Sequence, residues 1–166
     1  MKITIICVGK IKEKFYRDAV DEYVKRLSKY CKLEIIEVQD EKTPDQAASA
    51  LEEQIKEKEA SRILKYIKED AFVFSLEING KQPDSLELSS QINSLAIRGK
   101  SHIQFVIGGS LGLHGSVSAV ADQALSFSKM TFPHQLMRVI LLEQIYRSFR
   151  IITGEPYHKY GKETGL

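Results

Sequence analysis

Short runs of β-branched and aromatic residues alternate along this chain with segments long enough to form helices. Strands that are separated by helices of ten or more residues are typical of βα units, which place their strands parallel in one sheet. The pattern predicts five strands, at residues 3–8, 33–38, 71–78, 103–107 and 125–127. The expected fold class is therefore α/β, with a mostly parallel sheet that helices cover on both faces.

The segments between the strands carry the apolar spacing of helices. Predicted helices cover residues 15–29, 86–97, 116–124 and 133–152, and a long one opens at Pro44 and Asp45 and continues to Ile67. An Asn79-Gly80 turn is expected to close the third strand. No linker or repeat interrupts the pattern, and 166 residues suffice for one sizeable core, so residues 1–166 are predicted to be a single domain.

The last predicted helix is apolar at nearly every angle around its axis. Its apolar side chains are Leu136, Met137, Val139, Ile140, Leu141, Leu142, Ile145, Tyr146 and Phe149. A surface helix normally has one apolar stripe, whereas a helix that is apolar all round is buried on more than one side. In a domain of this size a second subunit could supply that cover, so the sequence predicts a symmetric homodimer that uses this helix.

Two segments in the last third of the chain have the features of a ligand site. The run at residues 105–112 ends in a cluster of glycines that includes Gly108, and the run at residues 125–134 ends in proline and histidine. Glycine lets a flat, polar ligand approach backbone N–H and C=O groups, because no Cβ atom stands in the way. Two such segments indicate a crevice at the carboxyl ends of a parallel sheet. A plain turn without a ligand is the alternative for the glycines.

Other known binding motifs do not match the spacing of residues in this chain. Gly99-Lys100-Ser101 resembles the end of a phosphate-binding loop, but Ser94 stands where that loop needs glycine, and a strand follows where a helix should begin. The chain has no GxGxxG after its first strand and no His and Cys cluster with metal-ligand spacing. No metal site is therefore predicted, and His134 is expected to have a structural or capping role.

Composition narrows the class of protein. The chain is 43% hydrophobic and 28% charged, which is ordinary for a soluble globular protein. No apolar stretch reaches the roughly 18–20 residues that span a bilayer, and charge follows the first apolar run too soon for a secretory signal. Cys7 and Cys31 lack metal or redox spacing and are expected to be reduced interior thiols. These features predict a cytoplasmic protein.

The net charge is only +2, but its distribution is uneven. Residues 129–162 contain six Lys and Arg against two acidic residues, and such a local basic surface suits a polyanion. Tyr157, His158 and Lys159 add a ring for stacking, an imidazole that can transfer a proton and a cation. Solvated charge and a frayed terminus are the alternatives for these two features.

Together these segments resemble one enzyme family. The resemblance is carried by Phe105-Val106-Ile107-Gly108-Gly109, Leu125-Ser126-Phe127-Ser128-Lys129-Met130-Thr131-Phe132-Pro133-His134, Arg147-Ser148-Phe149 and Pro156-Tyr157-His158-Lys159. Nearly the whole chain is similar to the SPOUT-class methyltransferases that methylate N3 of a pseudouridine in bacterial large-subunit ribosomal RNA. Members of that family end near Lys159, so residues 160–166 are expected to be an additional C-terminal tail.

The resemblance implies a trefoil knot in the C-terminal half, with S-adenosylmethionine bound in the knot in a bent form. The residues that it implies for the donor pocket are Leu76, Gly108, Phe127, Ser128, Lys129, Met130, Thr131 and Phe132. The expected partners are a second copy of the chain and large-subunit ribosomal RNA, in assembled ribosomes.

Methyl transfer from a sulfonium needs no metal, because the methyl group is already activated and the reaction needs mainly alignment. The N3 proton of pseudouridine must leave, which requires a general base or groups that stabilise the developing negative charge. His158 is the first candidate for the base, with Arg138, Arg147 or Lys159 as stabilisers. Arg138, Arg147, Tyr157 and Lys159 are the predicted contacts to RNA.

Two other functions fit part of the pattern. A flavodoxin-like domain that binds a small ligand without chemistry would share the alternating pattern and the glycine turns. It would not account for residues 127–134 or for the basic tail. A non-catalytic ribosome-associated binding protein would keep the fold and lack the activity.

Overall fold

A computed structural model describes residues 1–159. Its strands are β1 (Lys2–Val8), β2 (Lys32–Val38), β3 (Phe72–Lys81), β4 (His102–Ile107) and β5 (Gln123–Leu125). Its helices are α1 (Lys14–Leu27), α2 (Ser49–Leu64), α3 (Ser85–Ile97), α4 (Gly115–Val120) and α5 (His134–Ile152). Within these residues the strands form one parallel sheet in the order β2-β1-β4-β3-β5. The tail predicted at residues 160–166 lies outside the described residues.

Helices cover both faces of the sheet. Side chains of β1 alternate between the faces: Ile3 and Ile5 pack with α1, α3 and α5, whereas Ile6 and Val8 pack with α2 and α4. Each of these four side chains is at most 1% exposed, as expected for a central strand of a parallel sheet that is buried on both sides. The predicted α/β fold with a parallel sheet between two helical layers is confirmed.

Helix α2 begins later than predicted. A start at Pro44 and Asp45 is wrong, since the helix begins at Ser49. Asp45 and Gln46 form a turn in which Gln46 has a φ of +57°. This left-handed conformation cannot be part of a right-handed helix. The helix also ends before Ile67, which was expected inside it.

Strand β3 continues through the predicted Asn79-Gly80 turn to Lys81, so the turn prediction is wrong. A Cβ atom on Gly80 would lie 2.6 Å from the carbonyl carbon of Ala124. A close approach of two strands, and not a reversal of the chain, therefore explains this glycine. The pairing of β3 with β5 is irregular between Leu76 and Lys81.

Helix α4 and strand β5 both end earlier than their predicted ends at residues 124 and 127, at Val120 and Leu125. Asp122 holds the start of β5 in place. Its carboxylate accepts the backbone N–H of Val73 at 2.8 Å, and its own N–H donates to the Val73 carbonyl at 2.8 Å. The early end of β5 leaves residues 126–133 as a loop beyond the end of the strand.

Helix α5 is buried on more than one side by its own chain. It lies against α1 and α3, and Leu141, Leu142 and Ile145 are fully buried there. Every residue of the helix is at least partly buried, and Leu136 and Ile140 remain partly accessible. Most of the apolar surface of the helix is therefore covered without a second subunit, and the homodimer stays a prediction.

Candidate functional site

A cleft with a volume of about 660 Å³ opens at the carboxyl ends of β3, β4 and β5. Clefts for small molecules commonly have volumes of roughly 300–1,000 Å³, and in α/β sheets they lie beyond the carboxyl ends of the strands. The walls come from residues 76–78, 107–112, 125–128 and 130–134 together with Met137. The two segments that the sequence singled out thus meet at one site.

The turn after β4 brings backbone to the cleft. A Cβ atom on Gly108 would lie 2.8 Å from the carbonyl carbon and oxygen of Gly112, so the chain folds back this tightly only with glycine there. The Gly112 N–H donates to the Gly109 carbonyl at 3.1 Å, and Gly112 has a φ of +84°. The glycines therefore form a tight turn that lines the cleft, and contact of this turn with a ligand stays a prediction.

Hydrogen bonds hold the loop that follows β5. The Ser126 N–H donates to the Lys81 carbonyl at 2.8 Å, and Ser126 Oγ donates to the Ser128 carbonyl at 3.0 Å. Ser128 Oγ accepts the Met130 N–H at 2.9 Å. These bonds within the protein fix the shape of the loop.

Seven of the eight residues expected in the donor pocket line this cleft. They are Leu76, Gly108, Phe127, Ser128, Met130, Thr131 and Phe132. The eighth, Lys129, is exposed to solvent and does not line the cleft, so the structure does not support its contact with the donor. Met130 is 73% exposed and therefore lies at the open side of the cleft.

Glu77 lines the cleft without having been predicted from the sequence. Its carboxylate accepts the hydroxyl of Ser75 at 2.6 Å and the hydroxyl of Ser118 at 2.8 Å. One serine lies on β3 and the other on α4, so two elements hold the carboxylate in place. It is the only carboxylate among the described residues that line the cleft. The signal in the sequence is an acidic residue directly after an apolar run that ends at Leu76.

His134 also lines the cleft, at the start of α5. The N-terminus of α5 has no side-chain cap, so the expected capping role is wrong. Burial lowers the pKa of His134, the neighbouring Arg138 guanidinium lowers it further, and Asp40 opposes both. The imidazole is therefore neutral at neutral pH and can accept a proton.

Three of the predicted site residues, Arg147, Tyr157 and His158, lie together next to Glu143. Arg147 Nε and Nη2 donate to Glu143 Oε1 at 2.9 and 2.5 Å, and the Tyr157 hydroxyl donates to the same oxygen at 3.2 Å. Burial, with the Glu143 charge, raises the pKa of Tyr157 to about 12, so the phenol stays a donor. Arg147 Nη1 lies 3.1 Å from Nδ1 of His158. Because a guanidinium can only donate, Nδ1 of His158 is the acceptor in this contact.

The described end of the chain is tied to the rest of the fold. Glu155 accepts the Tyr30 hydroxyl at 2.7 Å and Arg150 Nη1 at 2.5 Å. Arg150 Nη2 donates to the Pro156 carbonyl at 2.7 Å. A frayed terminus is therefore the wrong description of the segment up to Lys159, although Lys159 itself is exposed.

The cluster around Glu143 lies far along α5 from the cleft of the same chain. Met137 lines the cleft, and Arg147 follows ten residues later in the same helix. At 1.5 Å per residue, roughly 15 Å separates the two positions along the helix axis. The side chains grouped around Arg147 therefore do not reach the cleft of their own chain in this arrangement.

The burial of Arg138 contradicts its predicted contact with RNA. Arg138 is 1% exposed, and its Nη1 donates to Glu37 at 2.6 Å while its Nη2 donates to the Gly9 carbonyl at 3.1 Å. A guanidinium enclosed in this way has no face available to a phosphate group, nor to a reacting ring. Its role is structural, because it joins α5 to the ends of β1 and β2.

Ion pairs neutralise much of the basic segment near the C-terminus. Arg138, Arg147 and Arg150 pair with Glu37, Glu143 and Glu155 respectively. Lys129 and Lys159 are exposed. In the part of residues 129–162 that the structure describes, the basic surface is therefore weaker than the charge count implies.

Burial raises the pKa of the Cys7 thiol to about 12 and that of the Cys31 thiol to about 11. Both cysteines are free and therefore stay protonated. Across residues 1–159, no group of three or more His, Cys, Asp and Glu side chains is placed to hold a metal ion. In the same part of the chain, no helix is both long and apolar enough to cross a membrane.

A parallel α/β sheet with a cleft beyond its strand ends is typical of proteins that bind a small ligand. The same fold occurs in a solved structure, that of a probable methylase family protein from Haemophilus influenzae Rd KW20. The two structures align with a TM-score of 0.50 and 11% sequence identity, over 97% of this chain and 72% of that chain. At this identity the likeness shows the fold alone.

Similarity in sequence identifies the family. The family model described as "Predicted SPOUT methyltransferase" matches residues 1–158. Relatives named ribosomal RNA large subunit methyltransferase H are 64% identical in Bifidobacterium adolescentis, 61% in Clostridium novyi and 59% in Clostridium kluyveri. Each match covers 96% of this chain and 100% of the relative. The chain belongs to the SPOUT methyltransferase family, which confirms the resemblance, and its activity is methyl transfer from a bound donor. The trefoil knot stays a prediction.

Proposed function

We propose that this chain transfers a methyl group from S-adenosylmethionine to N3 of a pseudouridine in large-subunit ribosomal RNA. The observation that carries the proposal is the cleft, where seven residues expected for the donor lie beside Glu77 and His134. Relatives of 59–64% identity, whose name specifies large-subunit ribosomal RNA, support the substrate class. We further propose that residues 1–166 form one domain, which acts as a homodimer on assembled ribosomes in the cytoplasm.

The residues of the cleft fit S-adenosylmethionine. A volume of about 660 Å³ is sufficient for a molecule of this size. Leu76 and Phe132 offer apolar surface to an adenine ring, and the turn at Gly108 leaves backbone groups accessible to its polar edge. Glu77 supplies a negative charge to a ligand whose sulfonium and ammonium groups are both positive.

When bound, S-adenosylmethionine supplies a methyl group that is activated by a positively charged sulfur. The contribution of the chain is then mainly to align the donor with the acceptor ring. The Gly108 turn and the loop at residues 126–130 are held by their own hydrogen bonds, which supports their role in aligning the donor. Glu77, which Ser75 and Ser118 hold in place, favours the cationic donor over the demethylated product, which lacks the sulfonium charge.

The N3 atom of pseudouridine loses a proton as it gains the methyl group, so a base must receive that proton. We assign this role to His158, with Arg147 stabilising the negative charge that develops on the ring. Arg147 occupies Nδ1 of His158 at 3.1 Å, so the N3–H group must replace Arg147 at this nitrogen. The proton then moves to Nδ1, and the guanidinium is free to donate to a carbonyl oxygen of the ring.

His134 is the second candidate for the base. His134 lies in the wall of the cleft, whereas His158 lies beside Arg147, away from the cleft of its own chain. Burial lowers the pKa of His134, so a neutral ring is available there to accept a proton. The two candidates can be distinguished by the chain that supplies the base. His134 belongs to the chain whose cleft holds the donor, whereas His158 would come from the partner chain.

A homodimer would bring the segment at residues 155–159 of one chain to the cleft of the other chain. The group formed by Arg147, Tyr157 and His158 is roughly 15 Å along α5 from the cleft of its own chain, so it would act at the cleft of the partner. Leu136 and Ile140, which are partly accessible on α5, offer apolar surface for contact between subunits. Lys159, exposed next to His158, would then meet the phosphate backbone of the RNA.

Mass spectrometry of ribosomal RNA from a strain in which the gene is deleted tests the proposed function. One pseudouridine of the large subunit should lack a methyl group that wild type carries. The wild-type gene should restore this methyl group, and a gene encoding Gly108→Ala should not. An unchanged mass for every pseudouridine-containing fragment would show that the proposal is wrong.

Family membership excludes the flavodoxin-like alternative. The non-catalytic alternative is decided by the deletion strain, because a protein that only binds ribosomes would leave the methylation of the RNA unchanged. Calorimetric titration with S-adenosylmethionine checks the donor separately. No heat at concentrations that saturate related enzymes would exclude it as the donor.

A further inference from the structure

Residues 10–17 form an exposed cationic segment at the start of α1. Its exposed cations are Lys10, Lys12, Lys14 and Arg17. They are accompanied by one acidic residue, Glu13, so the segment has a net charge of +3. Phe15 lies among the cations and is 63% exposed, with its ring centroid 4.3 Å from that of Tyr16. The segment therefore presents positive charge and an aromatic surface together.

The fold itself makes little use of this positive charge. Lys14 pairs with Asp18 at 2.6 Å, but no acidic residue among residues 1–159 pairs with Lys10, Lys12 or Arg17. The helix dipole disfavours positive charge at the beginning of a helix, and the first turn of α1 contains no acidic residue. Local stability therefore does not explain why the cations are concentrated here.

The cationic segment borders the cleft. Gln135 Oε1, at the start of α5, accepts the N–H of Lys12 at 2.9 Å and the N–H of Glu13 at 3.4 Å. The preceding residue, His134, lines the cleft. A Cβ atom placed on Gly9 would lie 3.8 Å from His134 Nε2. A polymer that runs along the cationic segment is therefore led to the wall of the cleft.

We propose that residues 10–17 bind the phosphate backbone of the RNA substrate and that Phe15 stacks on an unpaired base next to the nucleotide that is methylated. The inference rests on the proposed function and assigns it an RNA-contacting surface. Neighbouring cations suit successive phosphates, and an exposed ring among them suits a base. Since ion pairs neutralise Arg138, Arg147 and Arg150, this segment carries positive charge that the C-terminal region largely lacks.

The salt dependence of ribosome binding tests the phosphate contacts. The probe is ribosomes from the deletion strain, and the dissociation constant is measured over a series of KCl concentrations. A variant with Lys10→Ala, Lys12→Ala and Arg17→Ala should reduce the slope of log Kd against log [KCl] by about 2–3, which is about one for each lost phosphate contact. An unchanged slope would overturn the proposal.

A matched variant controls for the loss of three positive charges anywhere on the surface. Lys58→Ala, Lys65→Ala and Lys68→Ala together remove three exposed cations from α2 and the segment after it, on the opposite face of the sheet. The wild-type slope should be retained in this variant. An equal decrease in both triple variants would show that only net charge matters, which would also overturn the proposal.

Phe15→Ala tests the stacking contact. Its affinity for ribosomes should fall about fivefold or more, with the salt slope unchanged, because base stacking is not ionic. If Phe15→Ala instead changes the sedimentation of the free protein and leaves the ribosome affinity as it was, Phe15 belongs to a contact between subunits and the stacking proposal is wrong.

Failure of this inference and failure of the proposed function can be told apart. Donor affinity, measured by calorimetry on each variant, should stay at the wild-type value and shows that the variant is folded. Ribosome binding is measured without methyl transfer, so the slope reports on residues 10–17 even if no pseudouridine is methylated. Anionic vesicles that bind wild type but not the Lys10 triple variant, with ribosome binding unaffected, would assign the surface to a membrane and overturn the proposal.

Discussion

The Nη1 atom of Arg138 lies 2.6 Å from a carboxylate oxygen of Glu37, and the arginine is 1% exposed. The pair joins the final helix to the end of β2, and Arg138 Nη2 adds a bond to the Gly9 carbonyl at the end of β1. His134 lies one turn earlier on the same helix. The sequence predicted that Arg138 contacts RNA. In the structure Arg138 instead holds α5 in place, and α5 carries part of the wall of the cleft.

Glu37→Gln should lower the free energy of unfolding by about 2 kcal/mol, because the buried Arg138 charge would lose its partner. The expected loss is below the roughly 3–5 kcal/mol of a fully buried pair, since solvent screens the partly accessible carboxylate. Urea denaturation at neutral pH measures it. Glu34→Gln is the control, because Glu34 lies on the same strand and pairs with Lys2 only at 3.8 Å in solvent. It should cost less than about 0.5 kcal/mol, and equal losses would contradict the prediction.

Gly108→Ala should weaken binding of S-adenosylmethionine at least tenfold. The new Cβ atom would lie 2.8 Å from the Gly112 backbone, so the turn that lines the cleft must move. Calorimetry measures the affinity, and circular dichroism shows whether the fold is kept. Gly115→Ala is the matched control, since a Cβ atom there meets nothing within 4 Å. Wild-type affinity in both variants would show that the turn does not contact the donor.

Glu77→Gln should weaken binding of S-adenosylmethionine about tenfold, because glutamine keeps the size of the side chain and removes its negative charge. The demethylated product should lose less affinity, since it lacks the sulfonium charge. Calorimetric titration of both ligands gives the loss of affinity for each. Glu57→Gln, exposed on α2, should change neither. Equal losses for donor and product would place the carboxylate near the ammonium or ribose instead of the sulfonium.

The features that could be predicted from the sequence depend on short-range patterns. The side chains of β1 are apolar on both faces, and such a run between helix-length segments is typical of a central parallel strand. The glycine cluster at Gly108 and the segment at residues 125–134 predicted the two sides of the cleft, because each follows directly on its strand. Glu77 could have been found in the same way, as an acidic residue next to Leu76.

The features that could not be predicted depend on contacts between distant parts of the chain. Asn79-Gly80 has the composition of a turn, but the approach of Ala124 makes it part of a strand. Arg138 has the charge of an RNA contact, but it is paired with Glu37, which lies 101 residues away in the chain. Ala124 and Glu37 are far in the sequence from Gly80 and Arg138, the residues that they constrain. The local sequence pattern therefore predicted the wrong role for both residues.

His134→Asn should reduce the dependence of stability on pH. Burial and Arg138 hold the pKa of His134 below its ordinary value of about 6.5. As the pH falls through that value the unfolded chain binds a proton before the folded protein does, so stability that is present above about pH 6.5 is lost toward the folded pKa. Urea unfolding between about pH 7.5 and 5.5 should therefore show a smaller decline in the variant than in wild type. Parallel declines in the two proteins would contradict the lowered pKa.

Mixing two inactive variants should restore activity if the segment at residues 155–159 acts at the cleft of the partner. Gly108→Ala damages the cleft, and His158→Ala damages this segment. After random subunit exchange about half of the dimers are mixed, and each has one intact cleft facing one intact segment, so about a quarter of wild-type activity should return. Single-turnover methyl transfer to ribosomes from the deletion strain measures it, at a donor concentration that fills the wild-type cleft and leaves the Gly108→Ala cleft largely empty. If His158→Ala alone keeps the wild-type rate, His158 is not the base and His134 becomes the candidate. If both variants are inactive and their mixture stays inactive although exchange is complete, the segment at residues 155–159 serves its own chain, and the roughly 15 Å along α5 must be closed by movement of this segment.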